Sequence, residues 1–174
     1  MSIAEQLAAH HVYLQPHGKT VQDLEVEIAR GEATLAIGSG GQLERHLRVA
    51  VVHIHGPGGW ELMHVAKKCL RTSKRYRECS HLSEKQMRGE TPLAAAQRGV
   101  AEELGPWPVD RWEVGLEEEA RRGFGAYGNL ATRYQLTHVT AHTSAAPSPV
   151  TFQTTELPKW THEWEWKLFL SAPV

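Results

Sequence analysis

Apolar and polar positions alternate along this chain in two rhythms, and each predicts its own kind of element. Residues 2–12 carry Ile3, Leu7 and Ala8 on one side, which suits a short helix. Gln15-Pro16-His17-Gly18 reads as a turn. From Val21 to Ala29, Leu24, Val26 and Ile28 alternate with Asp23, Glu25 and Glu27, which predicts a half-buried strand. Gly31-Glu32 breaks it, Thr34 to Ile37 returns as a short strand, and Gly38 to Gly41 is a loop. Leu47 to His55 is the most apolar stretch and is rich in β-branched residues, so it reads as a central strand. Gly56-Pro57-Gly58-Gly59 then reverses the chain, and Trp60 to Leu70 returns as the second arm of a hairpin. Lys67, Lys68, Arg71, Lys74, Arg75 and Arg77 make its far end basic.

A helical rhythm takes over at Pro92 to Leu104. Leu93, Ala96, Val100 and Leu104 recur at spacings of three and four, which gives one buried stripe. Thr91 suits the cap, Pro92 the first helical position, and the alanines at 94–96 raise the propensity. Gly105-Pro106 stops the helix. Arg111 to Leu116 and Thr132 to Thr143 read as strands, Ala145 to Pro149 as a loop, and Glu163 to Leu170 as a last element with Trp164, Trp166, Leu168 and Leu170 on one face. Strands dominate around one strong helix, so the class is α+β with a mixed sheet.

Composition narrows the picture. A chain of 174 residues is the size of a single domain, with residues 1–18 as an N-terminal extension. Its 41% hydrophobic and 22% charged residues are those of a globule. The net charge of −1 gives no indication of nucleic-acid binding by bulk electrostatics. Cys69 and Cys79 form no Cys-x-x-Cys pair and read as reduced thiols. No apolar run reaches membrane length, and the first residues carry neither a basic nor an apolar signal region. A soluble cytoplasmic protein that meets no membrane is the expectation.

The chemistry is concentrated in Glu84 to Gly105, E-K-Q-M-R-G-E-T-P-L-A-A-A-Q-R-G-V-A-E-E-L-G. This stretch resembles the Nudix box: Gly, five residues, Glu, seven residues, then Arg-Glu-apolar-x-Glu-Glu-x-Gly. Glu90 falls on the first glutamate, Arg98 on the arginine, Val100 on the apolar position, Glu102 and Glu103 on the paired glutamates, and Gly105 on the closing glycine. Two positions depart from the pattern. Glu84 stands where the box opens with glycine, and Gly99 stands where the arginine is followed by glutamate. Positions 99 and 103 lie four apart on a helix and face the same way, so the chain lacks one of two carboxylates that would share a cation. Glycine costs a helix about 1 kcal/mol relative to alanine, so helix stability does not explain Gly99.

The resemblance implies a Nudix-type α/β/α sandwich with a mixed sheet. It implies Mg²⁺ or Mn²⁺ held by Glu103, Glu102 and Glu90, with Glu102, Glu103 and Arg98 as the catalytic set and Arg98 orienting the glutamates. It also implies a small diphosphate-containing ligand. In that chemistry the cation neutralises phosphate charge and a carboxylate deprotonates the attacking water. Glu117, Glu118, Glu119, Glu156, Glu163 and Glu165 are candidates to supply the missing base.

Other motifs are weaker. His53 and His55 lie two apart on one strand face, but no third ligand is evident beside them. Gly123 to Gly128 fits Gly-x-Gly-x-x-Gly, but a strand-like run follows where a dinucleotide site needs a helix, so it reads as a loop. Trp160, Trp164 and Trp166 suit the core, or stacking on a flat ligand. Two functions follow. One is hydrolysis of a diphosphate linked to another moiety. The other is a binding or regulatory protein on the same fold, in which Gly99 marks a lost site and the basic strand end and tryptophans form the pocket. Substrate identity and oligomeric state are not encoded in these motifs.

Overall fold

The computed structural model describes residues 1–123 and 125–169; Phe124, Leu170 and the Cys79 side chain lie outside the described residues. The class is α+β, as the sequence predicts. Among the described residues, three α-helices accompany a nine-stranded sheet: α1 (Ile3–Ala9), α2 (Val21–Ala29), β1 (Ala33–Ile37), β2 (Leu43–His55), β3 (Trp60–Cys69), β4 (Arg75–Ser80), β5 (Leu82–Lys85), α3 (Pro92–Leu104), β6 (Arg111–Arg122), β7 (Ala131–His142), β8 (Thr151–Glu156) and β9 (Trp160–Leu168). The strand order is β6-β7-β2-β3-β9-β8, with β1 and β5 also paired to β2 and β4 to β3. No helix among the described residues is long and apolar enough to cross a membrane.

The chain forms two compact units. The first comprises Met1–Val49, Lys85–Thr91 and Glu117–Thr137. Its core gathers Leu7, Leu24, Leu43, Tyr127 and Leu130, so the N-terminal segment is built into it through Leu7 of α1. The expected strand at Val21–Ala29 is helix α2 instead. Thr20 and Asp23 explain why: the Thr20 hydroxyl accepts the Asp23 N–H (3.2 Å), and the Asp23 carboxylate accepts the Thr20 N–H (2.7 Å). This reciprocal cap satisfies two orphan donors and nucleates the first turn. The alternation of Leu24, Val26 and Ile28 misleads because Val26 points outward, 47% exposed, while Leu24 is fully buried.

A buried ion network sits in the same unit. Glu27, on α2, accepts from Arg45 (2.7 Å) and Lys85 (2.9 Å) and pairs with Lys19. Burial alone would raise its carboxyl; the hydrogen bonds from Lys19 and Lys85, with the charges of Lys85 and Arg45, overturn that and bring it down to about 2. The Gly123–Gly128 segment carries a bridge between Gly125 and Gly128. Gly128 has a φ of +62°, and a Cβ there would collide with the Tyr13 carbonyl oxygen at 1.9 Å, so that glycine answers a close backbone approach.

The second unit comprises Ala50–Glu84, Pro92–Leu116 and His138–Val174. The predicted hairpin is present, with Ile54 opposite Leu62 and His55 opposite Glu61. Its core joins Val52, Ile54, Leu62, Val100, Val139, Trp164 and Trp166 among others. Trp164 and Trp166 are therefore core residues, as their alternation suggests. β4, β5 and β8 are additions to the predicted elements, and β6 runs past the expected Leu116 to Arg122. β3 pairs antiparallel with both β4 and β9, and its register shifts against both between His64 and Ala66. Such a bulge re-aims side chains locally.

The two kinds of position on α2 differ in energetic weight. Leu24→Ala is expected to cost about 3 kcal/mol in urea denaturation, the usual price of truncating a fully buried leucine. Val26→Ala is expected to lie within about 0.5 kcal/mol of wild type. Equal losses at both sites would contradict the helix.

Candidate functional site

Helix α3 forms over the expected residues and buries Ala95, Ala96, Gly99, Val100 and Leu104, with Leu93 packed partly against the same core. Gly99 owes its identity to β5. A Cβ at position 99 would stand 3.0 Å from Leu82 Cδ2 and 3.0 Å from Glu84 Cβ, closer than ordinary contact. The Glu84 side chain thus occupies the space where a side chain on residue 99 would begin. Arg98 Nη1 donates to Glu84 Oε1 at 2.8 Å and lies 3.7 Å from Glu102 Oε2. The two departures from the box pattern are in this way one packing event. A carboxylate absent from helix position 99 is present beside it, on strand position 84.

Glu103, one turn beyond Gly99, faces a cavity of about 250 Å³ lined by His64, Lys67, Glu78, His81, Glu156, Trp160 and His162 among others. Its backbone carbonyl accepts the Thr154 hydroxyl, and the Thr154 oxygen in turn accepts Trp164 Nε1–H at 2.8 Å. β8 and a core tryptophan therefore fix the last turn of the helix. Glu103 Oε2 is buried without a hydrogen-bond partner. Its nearest cationic candidate, His162 Nδ1, is 3.6 Å away, too far for a hydrogen bond. Burial first, then the charges of Glu156 and Glu84 and of Glu78, push the Glu103 carboxyl up to about 8 against the pull of Lys67.

Two buried imidazoles complete the arrangement. His162 is 3% exposed; its Nε2 meets Glu156 Oε2 at 2.9 Å and its Nδ1 meets His64 Nε2 at 3.1 Å. With both rings neutral, His162 Nε2–H donates to Glu156 and His64 Nε2–H donates to His162 Nδ1, an assignment set by the network. Burial, and then the neighbouring His162, lowers His64 to about 4. Lys67, which lines the same cavity, pairs with Glu78 at 3.2 Å and stands over the Trp160 ring at 5.2 Å.

His64, Glu103 and His162 each offer a ligand atom, all within 4.8 Å of one another. The orphaned buried oxygen of Glu103, the excess of carboxylates around it and the two imidazoles together fit a divalent cation. Imidazole nitrogens are donors that Mn²⁺ accepts more readily than the harder, oxygen-seeking Mg²⁺.

The other sequence candidates are dispersed. Glu102 is 47% exposed and associated with Arg98. Glu90 accepts the Met87 N–H at 2.9 Å in the turn preceding α3. Glu163 is bound by Arg75 Nε at 2.8 Å, and Glu165 lies 3.8 Å from Lys167. Glu117, Glu118 and Glu119 line a different cavity, of about 660 Å³, in the first unit, together with Arg48, Arg88 and Arg133. Of the proposed substitutes for the missing base, Glu156 is the one in the cavity with Glu103.

His64, Glu78 and His162 have no place in the sequence reading. His64 lies in β3 between Leu62 and Ala66, and His162 in β9 before Trp164 and Trp166, all buried. A histidine on the core-facing beat of an otherwise apolar strand was the available signal. Glu78 sits in the basic, unrecognised β4 and gave none.

No protein-family model matches the chain, and no curated protein matches it. Among solved structures it is similar to a Nudix hydrolase from M. Smegmatis, RenU, at 17% identity over 78% of this chain and 79% of that chain, with a TM-score of 0.43.

The raised Glu103 carboxyl sets a pH dependence. Between its ordinary 4.5 and about 8 the folded chain retains a proton that the unfolded chain has lost. Stability of the metal-free protein is expected to fall as pH rises through this window and to level off above it. In Glu103→Gln that fall is expected to be absent, so the melting temperature of the variant gains on wild type by several degrees from pH 5 to pH 8. Parallel pH profiles for the two proteins would contradict the buried, unpaired carboxyl.

Proposed function

We propose that this protein is a Nudix-like hydrolase of a diphosphate linked to another moiety, with one box carboxylate relocated from position 99 to position 84. The observation that carries this reading is the Glu84 side chain filling the space beside Gly99, held by Arg98, within electrostatic reach of the orphaned Glu103.

Glu103, with Glu84 and the imidazoles of His64 and His162, would hold the cation, Mn²⁺ in preference to Mg²⁺. When bound, the cation neutralises phosphate oxygens and eases ionisation of water. Arg98 is a positioning residue. It fixes Glu84 by a charge-assisted hydrogen bond and sits within ion-pair distance of Glu102. Glu156, oriented by His162 Nε2–H, accepts the proton of the attacking water. Water oxygen bonds to phosphorus as the bridging P–O bond breaks, and the displaced phosphoryl oxygen leaves with the other product. Lys67 supplies positive charge on the cavity wall for a phosphate oxygen, and Trp160 a flat apolar surface beside it.

The large cavity of the first unit favours a second reading, that of a binding protein. Three arginines and four glutamates around about 660 Å³ suit a charged small molecule whether or not it is turned over.

The test follows phosphate release from a panel of nucleoside diphosphate derivatives with Mn²⁺ and with Mg²⁺. Turnover is expected with Mn²⁺ above Mg²⁺, falling about 100-fold or more in Glu103→Gln and in Glu84→Gln, as for loss of a group acting directly on the reaction. Glu102→Gln, whose side chain is half exposed, is expected to lose less. Turnover unaffected by Glu84→Gln would overturn the relocated carboxylate. Calorimetric binding of panel members without any turnover would favour the second reading.

A further inference from the structure

Apart from α3, the β2–β3 hairpin gathers a second set of ligand atoms. The register places Glu61 of β3 directly opposite His55 of β2. The two-residue period of a strand brings His53 to the same face, so cross-strand neighbours put two imidazoles on one carboxylate. Glu61 Oε1 lies 3.0 Å from His53 Nδ1 and 3.6 Å from His55 Nε2. His81, immediately before β5, brings its Nε2 to the same oxygen at 2.9 Å. The ligand atoms of His53, His55 and Glu61 all lie within 4.8 Å of one another.

The surroundings match what a metal-bound imidazole requires. A ligating histidine donates its other ring N–H to a partner that fixes its tautomer. His53 Nε2 meets His138 Nδ1 of β7 at 2.9 Å. With His53 Nδ1 on a metal, Nε2–H donates to His138; without metal, His53 Nδ1–H donates to Glu61 and Nε2 accepts from His138. Either state satisfies both rings. His55 is 44% exposed, which leaves an approach from solvent. His142 stands edge-on to it at 5.7 Å between ring centroids. Five of the eleven histidines thus converge on one carboxylate and its hairpin face, beyond what dispersed surface residues would produce.

We propose that His53, His55 and Glu61 form a zinc site separate from the cation position at Glu103. Two imidazole nitrogens and one carboxylate oxygen are a donor set suited to tetrahedral Zn²⁺ with an open fourth position, which a water or His81 completes. The site does not depend on the hydrolase reading, since none of its three ligands belongs to the α3 constellation.

The test titrates the full chain with Zn²⁺ against a chromophoric chelator at pH 7.5, in a Glu103→Gln background that also carries His64→Gln, so that the α3 site keeps one of the three ligands that lie together there. One equivalent is expected to bind. Adding His55→Ala or Glu61→Gln is expected to weaken it at least tenfold, while circular dichroism and melting temperature without metal show an intact fold. Co²⁺ is expected to give the visible absorption of a tetrahedral site in the background protein and to lose it in the same triple variants. His55 is half exposed, so its removal leaves folding intact, and Glu61→Gln preserves the side-chain shape. Failure of the background protein to take Zn²⁺ from the chelator, or equal affinity with His55→Ala added, would overturn the proposal. Loss of diphosphate turnover in Glu103→Gln bears only on the hydrolase, so the two readings fail separately.

Discussion

Helix α3 packs closely on β5 at residue 99, which has no side chain, and this contact places Glu84 beside the helix. A Cβ at position 99 would stand only 3.0 Å from side-chain atoms of both Leu82 and Glu84, which would have to give by a few tenths of an ångström. The close approach brings the Glu84 carboxyl to Arg98 and sets Glu103 one turn further on, facing its cavity. Thr154 then ties that last turn to Trp164 in the core. Packing and electrostatics are here the same fact. The glycine that weakens the helix by about 1 kcal/mol also admits the anion that its loss of a side chain removed.

Glu27, which is buried, and Glu103, whose Oε2 is buried, illustrate opposite solutions to desolvating a carboxyl. Glu27 is surrounded by Lys19, Arg45 and Lys85, and its carboxyl falls to about 2. Glu103 is partly desolvated beside the carboxylates of Glu156 and Glu84, and its carboxyl rises to about 8. The first arrangement is self-sufficient and reads as structure. The second holds its charge off by keeping a proton to about pH 8, the kind of perturbed group that marks a candidate functional position. Its Oε2 is the oxygen buried without a hydrogen-bond partner.

Much of this was legible in the chain where one rhythm acted alone. The stripe of Leu93, Ala96, Val100 and Leu104 predicts α3, and the β-branched run to His55 with Gly56–Gly59 predicts the hairpin. The reading fails where two rhythms overlap. Val21–Ala29 satisfies strand alternation and helical spacing equally, and the deciding feature is the Thr20–Asp23 cap, a hydrogen-bond signal rather than a hydrophobic one. β4 and β8 escape because few of their side chains are buried, so burial imprints no pattern on them. At the site, Glu103 and Arg98 follow from a linear motif. His64, His162 and Glu61 follow from strand register, which joins residues distant in sequence and is invisible to spacing along the chain.

Positions 84 and 99 touch, so a substitution at either is felt at the other. A side chain added at 99 would press on Glu84 Cβ and Cγ, the side chain whose carboxylate Arg98 holds. The two sites are thermodynamically coupled, and changing both together is expected to differ from the sum of the separate changes. Taken one position at a time along the chain they are two unrelated residues, whereas in the folded chain they share one volume.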